Sequence, residues 1–438
     1  MKKLLSALFI ISVCLSLVST ASADSSVPGG KFASSMTVQN LGTSEANVIV
    51  KYIDVNGGDA AQSSHTIPVN DVLFIYVPGN SELATGQYSV VISSDQPVAA
   101  VSNFADEDSG ASYSGIGTGA NSWFFPAVYD NYYSYFSEVI AQNVTNSSQL
   151  VTLKVFAPGS SVAVYETSET VAAYASHSFN LTGLSQLETN KVYSAELSAP
   201  GGIVGISNIW GSGATAPQLY SYNGFSSGSR TFYIPSAAKN YYGWNSSVNI
   251  QNVSTSDANV TVTYSTGHSD DFQIPAKSGK AIYVPGVTAL PNGLHSVTVE
   301  SDQDVVVTLN QSNNYNRAAT YNGAPIGTTK VALPNVMKKY YGYSSSISCQ
   351  NIGTEATTMT VEFANRPAAT KTSPGIAPGA SWLIYLPNEA ALPNGFNASA
   401  IVTSSGQPII CIANSNMEDP PYSTQNRDEL KIYNGVNQ

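Results

Sequence analysis

Short runs in which apolar and polar residues alternate, rich in Val, Ile, Thr and Tyr, follow one another along most of this chain. Three of the clearest cover residues 46–53, 259–265 and 358–364. A period of two residues places successive side chains on opposite faces of a β-strand, and the Gly, Pro, Asn and Asp between runs supply turns. After the N-terminal residues, no stretch has the 3.6-residue period of an amphipathic helix. The pattern therefore predicts an all-β protein.

One segment recurs and organises the strands around it. It begins at Pro126, Pro235 and Pro334, contains a Tyr-Tyr pair and ends in Gln-Asn. A fourth Gln-Asn, at Gln39, follows only a short remnant of the segment without the tyrosines. The copies share further sequences in the same order, including Tyr-Val-Pro-Gly, which repeat 2 lacks, and Tyr-Asn-Gly. Self-similarity at a spacing of about 100 residues indicates a four-repeat protein.

Each repeat has the size of one immunoglobulin-like β-sandwich, which also consists of about 100 residues in short strands. We therefore predict four such domains in tandem, with boundaries in Gly- and Ser-rich segments near residues 119, 229 and 329. The predicted division is a signal peptide over residues 1–23, followed by sandwich repeats over 24–119, 120–229, 230–329 and 330–438. Because the linkers are short, we expect neighbouring domains to touch, in the form of a rod.

The N-terminus has the pattern of a secretory signal peptide. Two lysines precede an apolar run that ends in Ala-Ser-Ala, so the mature chain is expected to start at Asp24. No later run is apolar over the roughly 20 residues that a membrane helix needs. We expect a secreted, extracellular protein associated with the cell surface, without membrane insertion after the signal is removed.

Composition narrows the choice of partners. Only 11% of residues are charged and the net charge is -11, whereas Ser, Asn and Tyr are abundant. An acidic surface repels phosphate groups, which argues against nucleic acid and against anionic membranes. The expected partners are other surface proteins, further copies of the chain or extracellular glycans.

Two cysteines test the predicted alignment of the repeats. Cys349 and Cys411 lie only in the last repeat, where the other repeats have small or apolar residues. Two cysteines at core positions of an exported chain are expected to form a disulfide, and we predict that it links the two sheets of the sandwich. The alternative is a pair of buried free thiols.

Three aromatic clusters are the most conspicuous candidate sites. Flat rings with polar edges can stack on sugars. They can equally pack each sandwich against the preceding domain, and we favour this interpretation because the first repeat, which has no predecessor, lacks the cluster. The candidate interface or glycan-stacking residues are Tyr132, Tyr133, Tyr135, Tyr241, Tyr242, Trp244, Tyr340, Tyr341 and Tyr343.

The sequence gives little support for catalysis or metal binding. The GFSSG sequence around Ser226 matches a nucleophile elbow, but that motif needs a preceding strand and a following helix, and here it lies in a linker. The repeated asparagines are expected to bond the backbone near strand ends. A short acidic run at Asp106 lacks the spacing of a calcium loop. We predict no catalytic, cofactor or metal residues, and no enzyme activity.

The ordered sequences Gln-Asn, Ile-Pro, Tyr-Val-Pro-Gly, Leu-Pro-Asn-Gly and Tyr-Asn-Gly resemble repeats in exported bacterial surface proteins built of tandem immunoglobulin-like sandwiches. The resemblance covers nearly the whole mature chain and implies location and architecture. The leading hypothesis is a non-enzymatic structural or adhesive protein of the surface or matrix, which presents faces for self-association or adhesion. The alternatives are a carbohydrate-binding array that uses exposed aromatics and, least favoured, an exported hydrolase.

Overall fold

The computed structural model describes residues 8–12, 27, 32–212, 217–313, 317–417 and 428–438. Apart from four short 3-10 turns, every regular element in these residues is a β-strand, which confirms the all-β prediction. None of the helical segments in the described part of the chain is long and apolar enough to span a membrane. The turns are Val77–Gly79, Val284–Gly286, Pro367–Ala369 and Leu386–Asn388.

The strands fall into four successive groups. The first repeat contains β1 Leu8–Ser12, β2 Ala33–Asn40, β3 Ala46–Ile53, β4 Asp59–Ile67, β5 Val72–Tyr76, β6 Ser89–Ser94, β7 Val98–Ala105 and β8 Gly110–Ser114. The second contains β9 Ala120–Val128, β10 Tyr135–Asn143, β11 Gln149–Phe156, β12 Ala163–Val171, β13 Ser176–Asn180, β14 Tyr193–Ser212 and β15 Pro217–Asn223. The third contains β16 Ser229–Lys239, β17 Trp244–Asn252, β18 Ala258–Tyr264, β19 Ser269–Ile274, β20 Gly279–Tyr283, β21 Gly293–Asn313 and β22 Ala318–Asn322. The fourth contains β23 Lys330–Lys338, β24 Tyr343–Asn351, β25 Met359–Phe363, β26 Lys371–Thr372, β27 Ser381–Tyr385, β28 Phe396–Ser404, β29 Ile409–Met417, β30 Lys431–Asn434 and β31 Val436–Asn437.

Every group pairs its strands in the same order. The first repeat has one layer ordered β4-β3-β6-β1 and a second ordered β5-β2-β7-β8. In the second and third repeats a single long strand, β14 or β21, runs through both layers. The inward faces alternate as the sequence predicts: in β3, Ala46, Val48 and Val50 are buried, whereas Asn47 and Ile49 between them are exposed. The run predicted over residues 46–53 coincides with β3.

The N-terminal segment predicted as a signal peptide falls mostly outside the described residues. Its described part, β1, pairs antiparallel with β6. In the other repeats the corresponding place beside the layer is taken by the strand that opens the recurring segment, namely β9, β16 or β23.

The Tyr-Asn-Gly tyrosines hold the proline bulges in place. Strand register shifts between Ile234 and Ala237, around Pro235. The Tyr321 hydroxyl donates to the Ser236 carbonyl at 2.7 Å and accepts from the Ser236 N–H at 3.1 Å. It therefore satisfies both backbone groups that the bulge removes from the strand ladder. Tyr222 and Tyr433 bond Ala127 and Asn335 in the same way.

Four equivalent strands, β8, β15, β22 and β30, meet along one axis. There Asn434 Nδ2 donates to the Asn322 carbonyl (2.6 Å), Asn322 Nδ2 to the Asn223 carbonyl (2.7 Å) and Asn223 Nδ2 to the Ser114 carbonyl (2.9 Å). The Ser114 hydroxyl then donates to the Asn434 carbonyl at 3.0 Å. This cycle runs through all four repeats and returns to its start. The repeats form a closed ring, and the expected rod is wrong.

Each joint of the ring brings the first layer of one repeat against the second layer of the next. Phe124 of repeat 2 belongs to the hydrophobic core of repeat 3, and serine hydroxyls bridge every joint. The bridging pairs, in ring order, are Ser89 with Ser176, Ser194 with Lys277, Ser381 with Pro235, and Ser399 with Asn70. The joint between repeats 4 and 1 therefore uses the same layers as the others.

A fully buried carboxyl group locks the ring at one end of the axis. Asp428, from repeat 4, accepts the Ala318 N–H at 2.7 Å and the Leu219 N–H at 2.8 Å. Its own N–H donates to the Asp108 carbonyl of repeat 1 at 2.8 Å. Burial raises the pKa of the Asp428 carboxyl well above its usual value, although the backbone donors oppose this shift. One residue thus contacts the other three repeats.

The predicted disulfide forms, but not where we expected it. Cys349 and Cys411 are bonded, with their Cα atoms 4.1 Å apart, and they lie directly opposite each other on the adjacent strands β24 and β29. The bond therefore links two strands of one layer, and the prediction that it joins two layers is wrong. The equivalent pairs in the other repeats also face each other in register, which confirms the alignment: Val38 with Ala100, Ala141 with Gly205, and Ile250 with Val307.

Candidate functional site

The recurring Tyr-Tyr segments form tight two-residue turns. In repeat 2, the backbones of Tyr132 and Tyr135 exchange hydrogen bonds of 2.9 Å in both directions. The two residues between them, Tyr133 and Ser134, have φ values of 49° and 69°. Two consecutive left-handed residues define a type I′ hairpin turn. We call the three turns, Tyr132–Tyr135, Tyr241–Trp244 and Tyr340–Tyr343, the tyrosine hairpins.

The tip of each tyrosine hairpin carries an exposed ring. The tip residues Tyr133, Tyr242 and Tyr341 are 71%, 83% and 79% exposed. Each tip ring stands edge-on to the preceding tyrosine, with ring centroids 4.7 to 4.9 Å apart. The three tips therefore present the same pair of perpendicular rings to solvent.

The tip backbone is strained for a tyrosine. Tyr133, Tyr242 and Tyr341 have φ values of 49°, 48° and 48°, in a region that non-glycine residues other than Asn and Asp rarely adopt. An aromatic residue there costs about 1 kcal/mol relative to a residue that tolerates this conformation. Asn or Gly is the preferred residue at this turn position. The exposed rings recover little of this cost by burial, and the edge-on contact with the preceding tyrosine offsets part of it.

Beneath the first tyrosine hairpin lies an aromatic cleft at the joint between repeats 2 and 3. Its volume is about 270 Å³. One wall comes from repeat 2 and the other from repeat 3, where Asn249 and Tyr283 contribute. The tyrosines that line it are Tyr129, Tyr132, Tyr135, Tyr220 and Tyr283.

Side-chain contacts fix the rings of this cleft. Tyr132 stacks on Tyr129 with centroids 5.1 Å apart, and the Tyr129 hydroxyl accepts a hydrogen bond from Asn310 Nδ2 at 2.9 Å. Tyr135 packs edge-on against Tyr220 at 5.8 Å. Burial raises the pKa of Tyr129, Tyr135 and Tyr220 above the usual tyrosine value, so these phenols stay neutral hydrogen-bond donors at physiological pH.

Some of the predicted aromatic residues are thus exposed to solvent, and others line a joint between repeats. The expectation that they pack against the preceding domain is wrong for the tips Tyr133, Tyr242 and Tyr341, which are exposed. Tyr132 and Tyr135 do line a joint, but it is the joint with the following repeat. The rest are half-buried: Tyr241, Trp244, Tyr340 and Tyr343.

Sequence reasoning missed a charged cluster beneath the last hairpin. The Tyr343 hydroxyl bonds the Glu429 carboxylate, and the Lys431 ammonium lies 4.4 Å from the Tyr343 ring centroid. Lys431 Nζ also donates to the Tyr343 hydroxyl at 3.1 Å. Asp428, Glu429 and Lys431 follow one another closely in the sequence, a local clustering of charge that could have signalled a buried polar site.

The repeated asparagines have structural roles. Asn143 Nδ2 donates to the carbonyls of Ser147 and Val171, and its Oδ1 accepts the Thr145 N–H. Asn40, Asn252 and Asn351 make the equivalent bonds. The prediction that the repeated amides satisfy nearby backbone is confirmed for these four, but it is wrong for Asn208 and Asn310, whose amides donate to the Glu138 carboxylate and the Tyr129 hydroxyl.

The candidate reactive sequence does not form a nucleophile elbow. Ser226 lies in a bend between β15 and β16, both strands, and the adjacent Phe225 exchanges backbone hydrogen bonds with Phe124. In the acidic run, Asp106 Oδ1 accepts the N–H groups of Asp108 and Ser109. Among the described residues there is no group of three or more His, Cys, Asp or Glu side chains that could hold a metal ion.

Comparison with known proteins gives no family. No family model matches the chain, and no curated protein matches it. A structure from Thermotoga maritima matches 24% of this chain and 94% of its own length, with 18% identity and a TM-score of 0.22. A tetra-tandem repeat from the extending region of a large adhesion protein matches 99% of this chain and 100% of its own length, with 10% identity and a TM-score of 0.12. At these TM-scores neither likeness carries a functional argument.

Proposed function

We propose that this protein is a secreted, non-enzymatic component of the cell surface or extracellular matrix, and that it adheres through the tyrosine hairpins. We further propose that its four repeats are immunoglobulin-like sandwich domains with the boundaries given above. The disulfide supports export, because such bonds persist in oxidising compartments.

One observation carries the adhesive proposal. Three exposed tyrosines occupy the same strained turn position in three repeats, where a residue chosen for folding would be Asn or Gly. Strain retained at an exposed, repeated position supports a role in contact with a partner.

The ring arrangement strengthens this argument. In a cyclic array, equivalent atoms lie in one plane around the axis, so the three tips face the same side of the ring. Several weak contacts presented together bind a repetitive surface far more tightly than one contact alone. A polymeric wall or matrix is such a surface, whereas a small soluble molecule is not.

The test replaces the three tip tyrosines together, as Tyr133→Asn, Tyr242→Asn and Tyr341→Asn. Asn suits the left-handed turn, so the fold is expected to remain intact. Binding of the labelled protein to cells and matrix of its own organism, measured by co-sedimentation, should fall by roughly tenfold or more. Tyr174→Asn is the matched control, since Tyr174 is also exposed with a φ of 60° but lies outside the hairpins. A triple variant that binds as well as the parent refutes the proposal.

A further inference from the structure

We infer that the cleft between repeats 2 and 3 binds an uncharged glycan chain, and that the pairing of a tyrosine hairpin with a tyrosine of the next repeat recurs at every joint except that between repeats 1 and 2. This inference rests on the proposed adhesive function and names the ligand and its site. The uncharged lining belongs to the cleft between repeats 2 and 3, since Glu429 and Lys431 lie beneath the hairpin of repeat 4.

The chemistry of the cleft between repeats 2 and 3 selects the ligand. Its walls combine tyrosine rings with serine hydroxyls and asparagine amides, and no Asp, Glu, Lys or Arg lines it. Aromatic faces stack on the C–H face of a pyranose, and amides and hydroxyls bond its hydroxyl groups. A charged sugar would enter this cleft without a counter-charge, which is unfavourable. A volume of about 270 Å³ is just below the usual range for small-ligand pockets, which suits about one or two sugar rings at a time.

The far wall of the cleft recurs in register. Tyr283 lies opposite Ser247, Tyr385 opposite Ser346, and Tyr76 opposite Ser35 in their respective strand pairs. All three are exposed, by 60%, 37% and 56%. Tyr283 lies at the joint with the preceding repeat, and the matching strand register assigns Tyr385 and Tyr76 to the joints with repeats 3 and 4.

Both halves of the cleft are missing at the same joint. Repeat 1 has no Tyr-Tyr segment to form a hairpin. In repeat 2, the register position of the far-wall tyrosine is Asn180, opposite Glu138. Because repeats 1 and 2 are neighbours, these two omissions fall on the two sides of one joint. Their coincidence indicates that hairpin and far-wall tyrosine act together on one ligand.

The experiment removes the far wall while it leaves every hairpin intact. Binding of the mature chain to hydroxyethylcellulose, dextran and the acidic polysaccharide alginate would be measured by affinity electrophoresis. We expect a neutral polymer to bind, and Tyr76→Ala with Tyr283→Ala and Tyr385→Ala to weaken that binding by roughly tenfold or more. Tyr174→Ala serves as the control, and thermal melts confirm that the variants fold.

The outcomes separate this inference from the proposed function. If neutral polymers do not bind, or if they bind the far-wall variant as well as the parent, the inference fails. Preferential binding of alginate also overturns it. In each of these cases the adhesive proposal still stands as long as the tip variant loses cell or matrix binding. If the tip variant retains that binding, the proposed function itself fails.

Discussion

The cycle of hydrogen bonds along the axis predicts how the ring unfolds. Asn322→Ala removes the amide that bonds the Asn223 carbonyl at 2.7 Å and leaves this carbonyl without its partner from repeat 3. Loss of one partner from a buried polar group costs about 1–3 kcal/mol. We take about 2 kcal/mol as the expected loss of unfolding free energy.

The size of the resulting shift in melting temperature depends on how much of the chain unfolds together. At about 2.1 cal/mol/K per residue, a loss of about 2 kcal/mol lowers the Tm of a cooperative ring of roughly 400 residues by about 2 °C. The same loss in an independent repeat of roughly 100 residues lowers its Tm by about 10 °C. Because the axis bonds and Asp428 connect all four repeats, we expect the smaller shift in a single transition.

Differential scanning calorimetry measures both quantities. The control is Asn259→Ala, which removes an exposed bond of 2.7 Å to Asp302 within repeat 3 and should change Tm by less than about 1 °C. Two results contradict the reasoning. One is an Asn322→Ala variant that melts like the control, and the other is a shift of about 10 °C confined to one of several separate transitions.

Three further changes have expected outcomes. Tyr321→Phe leaves both Ser236 backbone groups without the hydroxyl, so urea denaturation should show a loss of about 1–3 kcal/mol, whereas Tyr283→Phe at an exposed ring should show none. Replacing the disulfide by the residues of repeat 3, as Cys349→Ile with Cys411→Val, opens a 62-residue loop and should cost about 4 kcal/mol on the chain-entropy model; an equally stable variant would contradict this. Burial raises the pKa of Asp428, so the folded chain keeps a proton that the unfolded chain loses, and the stability from this group declines as pH rises above about 4. The Tm advantage of the parent over Asp428→Asn should therefore shrink between about pH 4 and pH 8, and an advantage that grows would mean that the ionised form is the stabilised one.

The features that could be predicted correctly from the sequence are those that depend on local residue patterns. The alternation of apolar residues located β3 correctly because the inward face of a strand must be apolar wherever one face is buried. The repeat alignment identified Cys349 and Cys411 as a pair of core positions for the same reason. The prediction that the disulfide links two layers was wrong. The separation of two cysteines along the chain does not reveal whether their strands are neighbours in one sheet or face each other from two sheets.

Ring closure could not be predicted in this way. Whether repeat 4 meets repeat 1 depends on the rotation between successive repeats, which side-chain packing at the joints sets. Asn322 and Asn434 show the difficulty, since a Tyr-Asn-Gly asparagine looks like an ordinary turn residue until its partner in another repeat is known. Gly243 and Gly342 could have predicted the tyrosine hairpins, because a glycine after the second tyrosine suits a type I′ turn. Such a turn would have placed the second tyrosine at an exposed tip.

Small-angle X-ray scattering of residues 24–438 tests the closed ring most directly, and the joint between repeats 4 and 1 depends on that closure. A compact particle of roughly 400 residues has a radius of gyration of about 22 Å. Four domains end to end, each with a radius of gyration of about 13 Å, would give a rod with roughly 40 Å. We predict a value near 22 Å for the monomer, and a value near 40 Å would contradict the ring and the inter-repeat sites built on it.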